Sequence, residues 1–199
     1  MSPSQGEGRR FESGSPLFMS IKITYFVHGT TTDNEKEISS GWYDAELSEL
    51  GVKQAKELRG QTKDKVFDVV FCSDLQRAVD SAQLAFGGVY PIIPDPRLRE
   101  CNYGDYNAKA SAIVEPMQED NIDNKFPGGE SYEDVKRRIE SFLDFLKEKY
   151  QGKRVAIVAH KAPQLALEVI IGNMSWEQAF ENDWRKKKLW RPGWEYLLS

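Results

Sequence analysis

The length, composition and charge of the chain exclude several classes of protein. Its 199 residues are enough for one domain that buries roughly two-thirds of the surface of the unfolded chain. A formal net charge of −4 argues against broad attraction to nucleic acid or membranes, and no apolar run approaches the roughly 18 residues of a membrane span. Residues 1–18 are rich in Ser, Gly and Pro, so we predict a flexible tail there and a single domain over residues 19–199.

The first predicted strand delivers a histidine to a polar turn. Ile21–Val27 alternates β-branched and aromatic residues, which is typical of a strand with a buried face. It ends at His28 and Gly29, and ligands bind at the carboxyl ends of strands in open α/β sheets. The turn that follows offers hydroxyl groups, a side-chain amide and backbone N–H groups, which suit an anion such as phosphate. The side chains concerned are Thr30, Thr31, Thr32 and Asn34.

The next predicted unit places an arginine at the start of a helix. One helix begins after Ser48, and a second strand covers Phe67–Cys72. Ser73 or Asp74 is then expected to cap a further helix, whose first turn contains Arg77. The positive end of that helix and the guanidinium could share an anion, although a solvated surface arginine fits the pattern equally well.

The middle of the chain contains two candidate acids. The prolines around Val89–Ile93 predict a brief strand at the edge of the sheet. The polar loop Arg97–Tyr106 contains Glu100 and Asp105, either of which could donate a proton to a leaving group. Residues 107–129 have no clear period, so we expect a covering loop with room for one short helix.

The second histidine has the same setting as the first. A capping box at Ser131 starts the clearest helix, Tyr132–Tyr150. The short apolar run Arg154–His160 is a predicted buried strand that terminates in His160 and leads into another helix, and a last strand is expected at residues 195–198. If the two histidine strands are parallel neighbours, both imidazoles face one crevice. Strand and helix patterns alternate, which predicts an α/β sheet with helices on both faces.

Several motifs, taken in order, resemble those of the histidine phosphatase superfamily, the phosphoglycerate-mutase-like fold with an Arg-His-Gly motif. The likeness runs from about Lys22 to Ile171. HGTTTDN is similar to the family's His-Gly-x-Thr-x-x-Asn motif, FCSDLQRAVDSA to its segment with the second phosphate arginine, and LRECNYGDY to the segment with its acid. GWYDAELSELGVKQA, FPGGESYEDVKRR and VAIVAH resemble three further segments, and the last of these is the second histidine strand.

The resemblance implies a three-layer αβα sandwich with a mostly parallel six-stranded sheet and helices on both faces. Carried over position by position, it implies that His28 is the nucleophile that forms a phosphohistidine. It also implies that Arg77 and His160 bind and stabilise the phosphoryl oxygens. Glu100 would protonate the leaving alcohol, and Arg138 would be a structural arginine. The residues implied to complete the phosphate pocket are Gly29, Thr31 and Asn34.

Two positions depart from the family pattern. Val27 stands where the family has the arginine before its nucleophile, so one bidentate phosphate clamp is missing. Lys161 replaces the small residue that is usual after the second histidine. Its ammonium either replaces the missing positive charge, which places Lys161 in the phosphate pocket, or points to solvent.

The expected function is that of a metal-independent phosphomonoesterase that acts on a small soluble phosphate ester through a phosphohistidine intermediate. A phosphoglycerate-type mutase and a catalytically weakened phosphate-ester-binding or regulatory domain are the alternatives. Two histidines without a spaced carboxylate cluster are a poor metal-ligand set, so no metal or cofactor is expected. Cys72 and Cys101 form no disulfide framework, which predicts the cytoplasm. Neither nucleic acid nor membrane is an expected partner, and a homodimer stays open.

Overall fold

Strands and helices alternate along the chain, as the sequence pattern predicts. The computed structural model describes residues 19–186 and 193–199. Its strands are β1 (Ile21–Val27), β2 (Ile38–Ser39), β3 (Val69–Cys72), β4 (Ile92–Pro94), β5 (Lys109–Ala110), β6 (Arg154–Ala159) and β7 (Trp194–Leu198). Its helices are α1 (Thr32–Glu35), α2 (Glu49–Gln61), α3 (Gln76–Phe86), α4 (Ser111–Val114), α5 (Tyr132–Lys149), α6 (Lys161–Ile170) and α7 (Trp176–Glu181). Short 3-10 turns occur at Pro96–Leu98, Gly104–Tyr106 and Glu115–Met117.

The main sheet contains five strands in the described part of the chain, in the order β4-β3-β6-β1-β7. The first four strands of that order are parallel to one another, and β7 is antiparallel to β1. A mostly parallel sheet is therefore confirmed, with five strands where the resemblance implies six. β2 and β5 have two residues each and pair with each other in a separate antiparallel ribbon.

Helices cover both faces of the main sheet, which confirms the three-layer αβα arrangement. On one face, Ile23 and Tyr25 of β1 belong to a core that includes buried residues of α5, α6 and α7. On the other face, Phe26 belongs to a second core with residues of α2 and α3. Successive side chains of a strand point to opposite faces, so Tyr25 and Phe26 enter the two different cores, while Lys22 near the start of β1 stays exposed.

Two predicted helix caps are confirmed and one is wrong. Ser48 caps α2, and Ser131 starts α5 with the capping box that the sequence predicts. Helix α3 begins later than expected, with Leu75 at its N-cap position and no side-chain cap. Ser73 and Asp74 do not fill that position, because the Ser73 hydroxyl accepts the N–H of Leu75 in the preceding turn and Asp74 is held in an ion pair.

The predicted covering segment, residues 107–129, contains β5, α4 and a 3-10 turn. β5 pairs with β2, so this segment lies beside the turn that follows β1. The predicted flexible tail, residues 1–18, lies outside the described residues and stays a prediction. Among the described helices, none is both long enough and apolar enough to span a bilayer.

Candidate active site

The two histidines meet because their strands are parallel neighbours. β1 and β6 pair in register, with Val27 opposite Ala159, so both strands end at the same edge of the sheet. His28 and His160 follow directly. Their ring centroids are 5.0 Å apart and their planes cross at 62°. The two imidazoles are therefore neighbours, as predicted, while a crevice that both of them line stays a prediction, because His160 is not among the described lining residues of the cavities at His28.

His28 is held as a neutral imidazole with one nitrogen free to react. Its Nδ1 lies 2.7 Å from the carbonyl oxygen of Gly29, and because a carbonyl oxygen only accepts, Nδ1 carries the proton. Nε2 therefore keeps its lone pair. Burial, together with the positive charge of Arg77, lowers the pKa of His28 to about 3, although the Gly29 carbonyl acts in the opposite direction. A neutral imidazole at pH 7 is a competent nucleophile.

His160 is fully buried and is fixed through its backbone. The hydroxyl of Tyr25 donates to the His160 carbonyl oxygen at 2.6 Å and accepts the His160 N–H at 3.0 Å. Neither ring nitrogen of His160 has a hydrogen-bond partner among the described residues. Burial, then the charge of Arg77, keeps the pKa of His160 well below its usual value. An unpaired polar ring is costly in a protein interior, which makes His160 unusual, although this ring is absent from the described lining of the cavities at His28.

Arg77 is buried in the first turn of α3, which rules out a solvated surface arginine. Its guanidinium donates to the carbonyl oxygens of Tyr43 at 3.0 Å and Gly41 at 2.7 Å. Gly41 has a positive φ of 56°, a conformation that favours glycine. These two bonds orient the guanidinium and leave other N–H donors for an anion.

Glu100 is anchored at the start of α6. One carboxylate oxygen accepts the N–H groups of Cys101 at 2.8 Å and Ala162 at 3.0 Å, and the other accepts the N–H of Lys161 at 3.2 Å. Arg138 donates to the Glu100 carbonyl oxygen at 2.9 Å, which agrees with a structural role for that arginine. The other candidate acid, Asp105, lies in a 3-10 turn and is absent from the described lining of the cavity at the histidines.

Lys161 points into the protein. Its side chain is only 8% exposed, and its Nζ lies 4.0 Å from a carboxylate oxygen of Asp183. Burial and then Arg185 lower the pKa of Lys161 to about 8, against the opposing effects of Asp183, Glu100 and Glu115. Since 4.0 Å is too long for a hydrogen bond, the three N–H donors of the ammonium remain available. The alternative that Lys161 points to solvent is wrong.

The three remaining predicted phosphate residues shape the turn after β1. A Cβ on Gly29 would overlap the Gly51 carbonyl, and the Gly29 N–H donates to the Ser81 hydroxyl at 3.0 Å. The buried Thr31 hydroxyl accepts the Asn34 N–H, and Asn34 Oδ1 accepts the Thr31 N–H at 3.0 Å, which together form the capping box of α1. Asn34 lines the cavity, and its amide nitrogen faces no acceptor among the described residues. Gly29 and Thr31 instead stabilise the backbone conformation of the turn after β1.

A cavity of about 590 Å³ lies at the carboxyl ends of β1 and β6, and His28 lines it, whereas His160 is not among its described lining residues. One side of the cavity is formed by the strand ends and the start of α6. We call this side the histidine wall, and its residues are His28, Asn34, Glu100 and Lys161. The other side, the covering wall, comes from the segments around β2, α4 and the chain after α7. Its members include Glu37, Ile38, Ala112, Glu115, Trp184 and Arg185. Arg77 lines a smaller adjoining cavity of about 70 Å³, which shares all four residues of the histidine wall.

Arg185 is a site residue that the sequence alone does not identify. Its guanidinium pairs with Asp183 at 2.9 Å and with Glu115 at 3.0 Å, and Asp183 is almost completely buried. The only signal in the sequence is a run of basic and aromatic residues near the carboxyl terminus, which indicates a packed amphipathic end at least as well. Within the described residues, no group of three or more His, Cys, Asp or Glu side chains is placed to hold a metal ion.

A mostly parallel sheet with helices on both faces and a cavity at the carboxyl ends of its strands defines a class of α/β proteins with ligand sites at that edge. Within that class, the sequence model of the Histidine phosphatase superfamily (branch 1) matches residues 25–188, and the chain belongs to this superfamily.

Relatives of the chain carry both mutase and phosphatase names. A 2,3-bisphosphoglycerate-dependent phosphoglycerate mutase of Rhizobium meliloti (strain 1021) is 30% identical over 176 residues, which cover 80% of this chain and 83% of that protein. Putative phosphoserine phosphatase 2 of Hydrogenobacter thermophilus is 30% identical over 151 residues, which cover 70% and 73%. The structure of the alpha-ribazole phosphatase from Shigella flexneri superposes with a TM-score of 0.70 at 26% identity and covers 80% of this chain and 84% of that one.

Proposed function

We propose that the protein is a metal-independent phosphomonoesterase that hydrolyses a small soluble phosphate ester through a phosphohistidine on His28. The observation that carries the proposal is the tautomer of His28. Its Nδ1–H is tied to the Gly29 carbonyl, which leaves Nε2 as an uncharged nucleophile in a cavity that also holds Arg77 and Glu100. Phosphatase names among relatives at 26–30% identity support the same class.

In the first step, His28 Nε2 attacks phosphorus. The P–N bond forms as the bond from phosphorus to the ester oxygen breaks. The protonated Glu100 carboxyl gives its proton to the departing alkoxide, which otherwise leaves poorly. Negative charge spreads over the three equatorial oxygens, and the donors proposed to stabilise it are Arg77, His160, Asn34 and Lys161.

In the second step, water replaces the alcohol. The Glu100 carboxylate takes a proton from water, the water oxygen attacks phosphorus and the P–N bond breaks. The products are inorganic phosphate and a neutral His28. The two steps together regenerate the protonated Glu100 and need no metal ion or cofactor.

Val27 supports a second candidate, a binding or regulatory domain with little turnover. This side chain lines the cavity where a guanidinium would clamp the phosphoryl group, and a lost charge-assisted hydrogen bond costs about 1.5–3 kcal/mol. Lys161 argues that the missing arginine charge is replaced, because its buried ammonium lines the same cavity.

The substitution Val27→Arg distinguishes these possibilities. If Lys161 has taken the arginine's place, Val27→Arg will crowd an adapted site and leave kcat/KM unchanged or lower. A gain of at least roughly tenfold would instead show an impaired pocket.

A phosphate-release assay on a panel of esters, with and without chelator, tests the proposed function. We expect turnover that chelator does not change, and a phosphoprotein that is labile in acid and stable in alkali after brief incubation with labelled ester. His28→Ala should form no such adduct, while Glu35→Gln, in the neighbouring helix α1, should retain it. Binding of esters without turnover would favour the regulatory domain, and an acid-stable adduct would exclude the phosphohistidine.

The proposed partner is a small phosphate ester, and the proposed location is the cytoplasm. Support for a reducing compartment comes from Cys72 and Cys101, which are both buried and unpaired. Burial raises the pKa of the Cys72 thiol to about 12, so this cysteine is an inert part of the core. A homodimer stays a prediction.

A further inference from the structure

The covering wall of the cavity is acidic where it would contact the alcohol part of an ester. Glu37 is exposed, and the side chain of Glu115 is 41% exposed. Both carboxylates line the same cavity as His28. The remaining surface of this wall includes Ile38, Ala112 and Trp184, which can pack against a carbon skeleton.

Arg185 is the one cation of the covering wall within residues 19–186 and 193–199, and two carboxylates neutralise it. It pairs with the buried Asp183 at 2.9 Å and with Glu115 at 3.0 Å. Two carboxylates therefore surround one guanidinium, and Glu37 adds a third negative charge on the same side. Lys161 and Arg77 belong to the phosphoryl group under the proposed function, so neither is free to bind a second anion.

We infer that the pocket selects phosphate monoesters whose leaving alcohol carries no second anionic group, so that the alcohol is neutral or cationic. The inference rests on the proposed function, because that function assigns the phosphoryl group to the histidine wall. A carboxylate or second phosphate on the alcohol would then lie beside Glu37 and Glu115. Like charges repel at this wall, although the exposure of both carboxylates lets solvent and salt weaken the repulsion. An ammonium or hydroxyl group would be accepted there.

The same charge distribution bears on the mutase alternative. A bisphosphate must place its second phosphoryl group away from the reacting one, and in this cavity the covering wall is the side available to it. The carboxylates there oppose such a ligand, so the inference also favours hydrolysis of a monophosphate over phosphoryl transfer within a bisphosphate.

Three esters with two-carbon alcohols of similar size test the inference. They are phosphoethanolamine, 2-hydroxyethyl phosphate and phosphoglycolate, which carry an ammonium, a hydroxyl and a carboxylate. We expect kcat/KM for phosphoglycolate to be at least roughly tenfold below that of the hydroxyl ester. High salt should reduce the difference, since it screens charge. Equal or better turnover of phosphoglycolate would overturn the inference.

Variants locate the cause of the discrimination. Glu115→Gln should raise the carboxylate-to-hydroxyl ratio of kcat/KM by roughly threefold to tenfold, and Glu37→Gln by less, because only the former also releases Arg185. The exposed Glu35 lies nearby on α1 outside the cavity lining, so Glu35→Gln should leave the ratio unchanged. Unchanged ratios in both cavity variants would overturn the inference.

The aryl ester p-nitrophenyl phosphate separates the two proposals. If neither it nor any alkyl ester is turned over, the proposed function fails. Calorimetric titration of wild type with phosphoethanolamine and with phosphoglycolate then decides the inference by itself, since weaker binding of phosphoglycolate supports it and equal binding overturns it.

Discussion

His28 and His160 remain uncharged at neutral pH because burial and the charge of Arg77 disfavour the imidazolium. The pKa of His28 is about 3 and that of His160 is also well below its usual value, so neither ring should gain a proton between pH 8 and pH 5. The chain has only two histidines, and their ring protons are therefore easy to follow by NMR. We expect two signals that stay constant over this range, whereas in urea both should titrate near pH 6.5. A native signal with a midpoint near 6.5 would contradict the buried arrangement.

Lys161 should make the proposed activity fall at alkaline pH, near pH 8, which is lower than the pKa of an ordinary lysine. Its pKa of about 8 means that the ammonium loses its proton as pH rises through that value, and kcat/KM should fall there because this ratio reports the free enzyme. Lys161→Met should lower kcat/KM at pH 7 by roughly tenfold or more. It should also abolish the fall of kcat/KM near pH 8, the alkaline limb of the pH profile.

Asp183 provides a check on that assignment. Its carboxylate raises the pKa of Lys161, so Asp183→Asn should move the alkaline limb of kcat/KM to lower pH. In the Lys161→Met background the same substitution should have no effect on the limb. A limb that persists in Lys161→Met would assign it to another group.

Local patterns at these positions predict some contacts and miss others. The setting of each histidine is visible in its own strand, so the pairing of His28 with His160 follows from the two apolar runs. Val27 and Lys161 are visible as departures, but only the packed structure shows that Lys161 points inward. The sequence around Tyr25 does not reveal its role, because its hydroxyl donates to the carbonyl oxygen of His160, which is 135 residues away in the chain.

At the level of secondary-structure elements, the start of α6 connects Glu100, the proposed acid, to the second histidine. The N–H groups of Lys161 and Ala162 donate to the Glu100 carboxylate, so this side chain both occupies the helix start and faces the cavity. Glu100→Gln should slow alkyl phosphates far more than aryl phosphates, which hardly need a proton on the leaving oxygen. Equal losses on both ester classes would remove Glu100 from the role of acid.

The same substitution should also lower stability. Glutamine keeps one acceptor oxygen but turns an N–H donor toward the backbone N–H groups of α6, which costs about 1–3 kcal/mol. Urea unfolding of Glu100→Gln measures this cost, and Asp105→Asn is the matched control, since Asp105 lies in a 3-10 turn outside the cavity lining. An unchanged free energy of unfolding in Glu100→Gln would mean that the carboxylate contacts at α6 are weak.

For the whole molecule, the order of strands and helices is predictable because each element carries its own periodicity and most have a recognisable cap. The sequence predictions fail where contacts between residues far apart in the chain determine the structure. Helix α3 starts at Gln76 because Asp74 is engaged in an ion pair with Arg99. The covering wall is assembled from segments more than 60 residues apart in the chain, such as the ion pair of Glu115 with Arg185, so no local pattern identifies it.

Stability of the whole domain should decline on mild acidification because of the two histidines. Each has a folded pKa below the value of about 6.5 in the unfolded chain, so below pH 6.5 the unfolded state binds more protons than the native state. Their contribution is therefore complete above pH 6.5 and declines as pH falls below it, and that of His28 is lost as pH approaches 3. Carboxylates with lowered pKa values, such as Asp134 at about 2, act in the same direction but only below about pH 4.

Between pH 7 and pH 5, the change in the free energy of unfolding therefore measures the contribution of the two histidines. We expect the free energy of unfolding of the wild type, measured with urea, to fall by up to about 4 kcal/mol across this window, about 2 kcal/mol for each histidine. His28→Gln and His160→Gln should each show a shallower fall, since each removes one group that the unfolded state protonates. The difference between the two pH values is the relevant quantity, because either substitution also changes stability at pH 7. A fall as steep in both variants as in the wild type would show that buried neutral imidazoles do not set the acid sensitivity of the domain.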